Sequence, residues 1–309
     1  MARARKPPLD EGESLRTVII ALVANAGITV AKFIAAMVTN SSAMLAEAFH
    51  ATADTGNQVL LLLADRLARR PADAAHPVGH GREAYFWALL AALGMFFTGA
   101  LLAVRQGIIE LFHPAHVGSP LAAYIVLGVA FCLDGASLLR VYRQLKNEAA
   151  KLELEFLEHF DRSSDPVGRA VFAEDAVATV GNVVAFLGIV LDRLTGSAIP
   201  DAAGALVIGL CLAAAALDLT RRNRDFLVGR QASAAIQDGL RRLIARQPGV
   251  RRVVELWVTF VGPRRLWVVA RIEIDDALEG RALKQLLRAV EDAVEEQSAS
   301  VVRVDLVPC

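Results

Sequence analysis

A chain of 309 residues that is 55% hydrophobic, 6% aromatic and formally uncharged at pH 7, with a mean hydropathy of +0.43, has the composition of an integral membrane protein. Its 33 basic residues balance 33 acidic ones, which removes any general attraction to nucleic acid. Cys132, Cys211 and Cys309 are too widely spaced for a metal knuckle or a disulfide framework.

In chain order, a tail over 1–14 carries Arg3, Arg5, Lys6, Pro7 and Pro8. No apolar stretch with a small-residue cleavage site follows closely, so it reads as a short tail and not as a cleaved signal peptide. Six apolar runs come next: about Leu15–Val38, Ala43–Leu67, Ala84–Phe112, Leu121–Tyr142, Val167–Leu194 and Ala202–Leu219. Each can cover ~30 Å of hydrocarbon, which predicts a transmembrane domain over 15–222. Basic residues gather before the first span and between the second and third (Arg66, Arg69, Arg70, Arg82). They recur around the fourth-to-fifth connection (Arg140, Arg143, Lys146, Lys151, Arg162, Arg169) and after the sixth span (Arg221, Arg222, Arg224, Arg230). The other gaps carry only Arg193. The positive-inside rule then puts both termini in the cytoplasm.

After Arg230 the character becomes soluble, over a domain at 232–309. Ala232–Gln247 reads as an amphipathic helix stopped by Pro248-Gly249. Val253–Val261 and Leu266–Ile274 alternate as strands around Gly262-Pro263-Arg264-Arg265, a hairpin signal. A helix at about Gly280–Gln297 and a strand at Ser300–Val307 complete α-β-β-α-β, helices on one face of a sheet. No internal repeat or low-complexity segment is evident.

Chemistry concentrates in the second span, where Glu47, His50 and Asp54 stand at i, i+3 and i+7. At ~100° per residue they share one face within roughly 60°, with Gln58 on the same stripe. Ionisable groups inside a spanning helix are costly unless they meet water or a ligand. Carboxylate and imidazole at helical spacing are ligands of first-row divalent metals; hydrogen bonding to neighbouring helices is the plainer alternative. The fifth span adds Glu174 and Asp175, of which only one can point squarely at a given site. Two facing helices could thus offer three or four oxygen and nitrogen ligands, as helical bundles build metal centres. Such a set suits Zn²⁺ and also admits Mn²⁺, Fe²⁺, Co²⁺ or Cd²⁺. Lys32 is the only lysine inside a span, so something must neutralise it, and one of these acids could be its partner.

Asp73, His76 and His80, again at i, i+3 and i+7, lie in the loop between the second and third spans. They could bind a second metal or serve loop packing and solvation. His113 and His116 near Pro114 read as interfacial loop residues. Asp134 in the fourth span is a proton-relay member or a helix–helix hydrogen-bond acceptor, and Asn25 and Asn182 are polar glue.

The run Thr39-Asn40-Ser41-Ser42-Ala43-Met44-Leu45-Ala46-Glu47-Ala48-Phe49-His50, with Asp54 and Asn57-Gln58, closely resembles the cation diffusion facilitator family of divalent-metal transporters. So does His76-Pro77-Val78-Gly79-His80-Gly81-Arg82-Glu83-Ala84-Tyr85-Phe86-Trp87. Span order and tail fit as well, so the resemblance covers nearly the whole chain. It implies exchange of cytoplasmic Zn²⁺, or a similar ion, for protons by a homodimer. It also implies a site joining two ligands from the second span to two from the fifth, and a ferredoxin-like, metallochaperone-like tail. Two departures stand out. The family's commonest fifth-span pattern is His-x-x-x-Asp; this chain resembles the branch with Glu-Asp there. Counted from Asp201, Asp175 falls opposite the usual histidine and Thr179 opposite the usual Asp, giving a harder, oxygen-rich site. All 6 histidines lie at or before His159, so the tail lacks a histidine-based sensor, and Asp275, Asp276 and Asp305 read as solvated surface acids.

The expectation is an α-helical membrane protein of six spans with a small cytoplasmic α+β ferredoxin-like domain. It moves a divalent cation, Zn²⁺ first, out of the cytoplasm against protons across a bacterial-type inner membrane. His50 is the expected coupling group, because metal and proton compete for one nitrogen around neutral pH. Asp54 and Asp175 are expected as charge-neutralising ligands, Glu47 and Glu174 as ligands or proton carriers, with helix groups rocking around a fixed site. Metal ion, protons, lipid and a second copy are the expected partners, with no resident cofactor. Rival readings are a Mn²⁺-, Fe²⁺- or Co²⁺-preferring transporter and a non-transporting membrane sensor or scaffold. An intramembrane metallohydrolase lacks support, since neither H-E-x-x-H nor a nucleophile constellation is present, so no enzyme is expected.

Overall fold

The computed structural model describes residues 11–114, 120–151, 155–275, 280–298 and 300–309. Arg3, Arg5, Lys6, His116 and Asp276 lie outside the described residues. The helices are α1 (Glu11–Thr39), α2 (Ser42–Ala68), α3 (Glu83–Gly94), α4 (Leu101–Phe112), α5 (Leu121–Lys151), α6 (Phe156–Arg162), α7 (Pro166–Thr195) and α8 (Ile199–Val228). A π-helical stretch, Met95–Ala100, joins α3 to α4, so that Glu83–Phe112 is one continuous span. It and Leu121–Ala150, Pro166–Thr195 and Ile199–Val228 are long and apolar enough to cross a membrane. The described apolar part of α1, Asn25–Thr39, is shorter. Glu47, His50, Asp54 and Asp65 interrupt the apolar character of α2.

Helix limits follow local chemistry. The α1–α2 turn is made by Asn40 at φ 57°, a left-handed conformation that asparagine tolerates better than most residues. Asp165 caps α7, its Oδ1 accepting from the backbone N–H of Val167 (3.1 Å) and Gly168 (3.2 Å), with Pro166 in the first turn. The short α6 was not expected from the sequence; at 7 residues it is too brief to show a helical period.

The chain forms two compact units, one of residues up to Leu60 with Ala91–Arg143 and Val171–Asp218, the other of Leu61–Leu90, Gln144–Ala170 and Leu219–Cys309. In the first, buried positions are mainly alanine (Ala35, Ala43, Ala46, Ala103, Ala123, Ala130, Ala185, Ala205), and large apolar side chains such as Ile34, Met37, Phe97, Ile125 and Leu210 face outward. That inversion is how helices pack closely in lipid.

The second unit contains α9 (Ala234–Ala245), β1 (Val250–Gly262), β2 (Arg265–Ile274), α10 (Gly280–Gln297) and β3 (Val301–Pro308). The sheet order is β1-β2-β3. Val258 pairs with Val268 antiparallel, and Val268 with Val304 parallel, because α10 carries the chain back before β3. β1 starts before the expected Val253 because irregularities at Val250/Arg252 and Val253/Glu255 break the alternation there. Ile244, Val258, Val268, Ala270, Ile272, Val290 and Val294 form the core, which also takes in Tyr85 and Phe226, stacked at 4.9 Å. This is the expected ferredoxin-like α-β-β-α-β arrangement.

Candidate metal sites

On α2 the expected stripe is real: His50 is fully buried and its Nε2 lies 3.2 Å from Asp54 Oδ2. Both ring nitrogens of His50, Asp54 Oδ1 and Glu47 Oε1 are buried without a hydrogen-bond partner. Native structures leave few buried polar atoms unsatisfied, so a cluster of them marks a place for an ion or water. Glu47, expected as a ligand or proton carrier, has its Oε2 2.7 Å from Lys32 Nζ of α1. The neutralising partner that Lys32 requires is therefore Glu47.

The two acids of α7 diverge, as ~100° per residue requires. Glu174 Oε1 accepts from Asn57 Nδ2 of α2 at 2.9 Å, whereas Asp175 Oδ2 accepts from Ser137 Oγ of α5 at 2.6 Å. Glu174 is thus hydrogen-bonded to the helix that carries His50 and Asp54. Asn57 bridges to α7, and Gln58, expected on the stripe, stays half-buried. Thr179, opposite the family's usual Asp, donates to its own helix at Asp175 O (2.7 Å). Asp134 accepts from Asn182 Nδ2 at 2.7 Å, which makes it a helix–helix acceptor in this conformation.

Sequence reasoning missed the capping of α2. Asp201 of α8 accepts from Ser41 Oγ at 2.7 Å and from the Ser42 backbone N–H at 2.5 Å. The serine pair before an apolar run hints at a helix start, and Ser41 Oγ does accept from the Met44 backbone N–H at 3.1 Å, but nothing local shows that a second cap comes from another helix.

The loop after α2 brings Asp73, His76 and His80 together, with one ligand atom from each within 4.8 Å of the others. Among the described residues this is the group of three or more His, Cys, Asp or Glu that reaches such closeness; those of α2 and α7 are held in pairs. Asp73 Oδ2 meets His80 Nε2 at 3.0 Å and Oδ1 meets His76 Nδ1 at 3.3 Å, with the two rings 4.1 Å apart. The hydrogen bond from His80 and the backbone N–H of His76 hold the Asp73 carboxyl down to about 2, so it is anionic whenever the histidines are neutral. Gly81 packs this loop onto the β1–β2 turn, where a Cβ would come 2.8 Å from Gly262 Cα.

Asp275 and Asp305 are partly tied up: Asp275 pairs with Arg251 at 3.2 Å, and Asp305 Oδ2 accepts from Trp267 Nε1 at 2.6 Å. His113 is an exposed residue just after α4.

Fold and site together define an integral membrane protein with metal-ligand chemistry inside its helices. Residues 18–228 match the family model described as the cation efflux transmembrane domain, and the chain belongs to this family, the cation diffusion facilitators. It is 32% identical over 267 residues to "Proton-coupled zinc antiporter SLC30A9, mitochondrial" of Xenopus laevis, covering 86% of this chain and 48% of that protein. It is 32% identical over 228 residues to "Metal tolerance protein C4" of Arabidopsis thaliana, covering 74% and 50%. It is also 25% identical over 268 residues to "Manganese efflux system protein MneS" of Bacillus subtilis (strain 168), covering 84% and 82%. The chain spans about half the length of the first two relatives.

Proposed function

We propose that this protein is a divalent-cation efflux transporter that exchanges cytoplasmic Zn²⁺ for protons, works as a homodimer, and is neither an enzyme nor dependent on a resident cofactor. The observation that carries the reading is the enclosed His50–Asp54 pair with its unsatisfied atoms inside a membrane helix. A divalent ion there would be held by His50 and Asp54 of α2 and by a carboxylate of α7. Its binding needs a neutral imidazole and ionised carboxylates, so protons and metal oppose each other at the same atoms. The basic connections face the cytoplasm in this reading, in a membrane of the bacterial inner type. The name of the Xenopus relative supports zinc and proton coupling.

Manganese is the second reading. With Asp54, Glu174 and Asp175 the site offers more oxygen than nitrogen, which favours harder ions, and the name of the Bacillus relative is that of a manganese exporter.

Reconstitution of the full chain into vesicles tests both. Zinc flux with opposing proton flux is expected, and His50→Ala and Asp54→Ala should each reduce it by at least about 100-fold, beyond the loss typical of an outer supporting residue. Metal binding without flux would make the protein a sensor or scaffold. A competition series of Zn²⁺, Mn²⁺, Fe²⁺, Co²⁺ and Cd²⁺ separates the metals.

A further inference from the structure

One ion pair links α1 to α2 within the apolar part of the chain. Lys32 Nζ and Glu47 Oε2 are 2.7 Å apart, and the side chains are only 3% and 0% exposed. Two charges are tolerated there only together, since either alone would be an uncompensated buried ion. The second oxygen, Glu47 Oε1, has no hydrogen-bond partner and lies 3.9 Å from His50 Nδ1. Gly181 of α7 backs the carboxylate: a Cβ there would come 3.0 Å from Glu47 Cδ and closer still to Oε1. Glycine at 181 therefore leaves the room the carboxylate occupies. Glu47 is thus enclosed by α1, α2 and α7, one turn from His50, on the ligand-bearing face of α2, yet with its charge taken up by an ammonium.

We propose that Lys32 is a specificity-determining residue of the transport site. By holding Glu47 in a neutral pair it withholds one negative charge from the His50–Asp54 centre. The centre then keeps less negative charge around its nitrogen ligand, which favours Zn²⁺ over harder ions such as Mn²⁺. Glu47 Oε1 lies on the Nδ1 side of the imidazole and Asp54 on the Nε2 side, so Glu47 acts on the ion through the charge it sets behind the His50 ring. This inference rests on the transport-site reading above.

Zinc flux with competing manganese, measured on the full chain in vesicles, tests it. Lys32→Met should raise the manganese-to-zinc preference by at least about tenfold, the effect of leaving one buried carboxylate unneutralised behind the His50 ring. Glu47→Gln alone leaves an unpaired ammonium beside a cation site and should weaken zinc by about tenfold or more. The double variant Lys32→Met/Glu47→Gln carries no buried charge at these positions, so it is the safeguard against misfolding. It should return both the preference and the apparent zinc affinity to within about threefold of the original, as paired deletions of a buried ion pair commonly do. Were Glu47 a direct ligand, Glu47→Gln and the double variant would lose zinc equally, and the proposal would be overturned. An unchanged metal preference in Lys32→Met would overturn it too. His50→Ala run in parallel keeps the two readings apart. Flux that this variant abolishes while the Lys32 variants behave like the original removes the Lys32 proposal alone; no metal flux in the original protein removes both.

Discussion

A histidine enclosed among helices, with a carboxylate one turn away, persists in a membrane only when a ligand or water meets its nitrogens. His50 and Asp54 satisfy that description. At the same scale the two neighbouring acids of α7 are not equivalent. Glu174 is buried and bonded to Asn57 of α2, while Asp175 is bonded to Ser137 of α5. Glu174→Gln should therefore reduce zinc flux more than Asp175→Asn, by about tenfold or more if Glu174 contacts the ion; equal losses in the vesicle assay would place both on the metal. A second residue-scale prediction concerns acid. The Arg303 guanidinium beside Asp305, helped by Trp267 Nε1–H, holds that carboxyl below the ordinary 3.8. A depressed value means its stabilising contribution is full above about pH 3.8 and is lost as pH falls through the lower folded value. The side chain is 34% exposed, and solvent screening keeps the contribution small. Acid titration followed by tryptophan fluorescence should show a transition below pH 3.8 that Asp305→Asn abolishes.

Elements matter through their ends and their irregularities. Asp201 of α8 caps α2, the helix that carries His50 and Asp54. Asp201→Ala removes that cap and the acceptor of the Ser41 hydroxyl, whose oxygen still accepts from the Met44 backbone N–H, and should cost about 0.5–2 kcal/mol, read as a lower melting temperature in detergent with α2 still helical. Unchanged melting would mean water replaces the carboxylate without loss. The π-helical stretch between α3 and α4 also faces α2. Gly94 before it approaches Asn57, and Gly99 within it approaches Ala53, residues that flank Asp54. Wide turns of this kind recur at functional sites because they re-aim a helix face.

For the molecule as a whole, two places carry metal-ligand chemistry, and two classes of bound zinc are the outcome expected of calorimetry. The loop trio is assembled in this conformation, whereas the membrane residues are held in pairs that an ion must draw together. In full-length protein, His76→Ala/His80→Ala should remove one zinc equivalent and leave the His50-dependent one. The soluble domain has no histidine, so a variant lacking His50, His76 and His80 should retain no tight zinc. Calorimetry that still found a stoichiometric zinc site in that variant would put a metal centre on the domain's carboxylates.

The sequence by itself determined the spans and the α-β-β-α-β tail, because apolar length and period-2 alternation are local signals that burial enforces. It also determined which α2 residues share a face, since helix geometry places i, i+3 and i+7 together wherever the helix lies. The partner of Lys32, the α7 acid that meets α2, and the source of the α2 cap depend instead on contacts between residues far apart in the chain. Lys32–Glu47, Asn57–Glu174 and Ser42–Asp201 are such contacts, and only the packed helices decide them. The rotation of each helix about its axis is set by how small residues let backbones approach, and no local pattern encodes that.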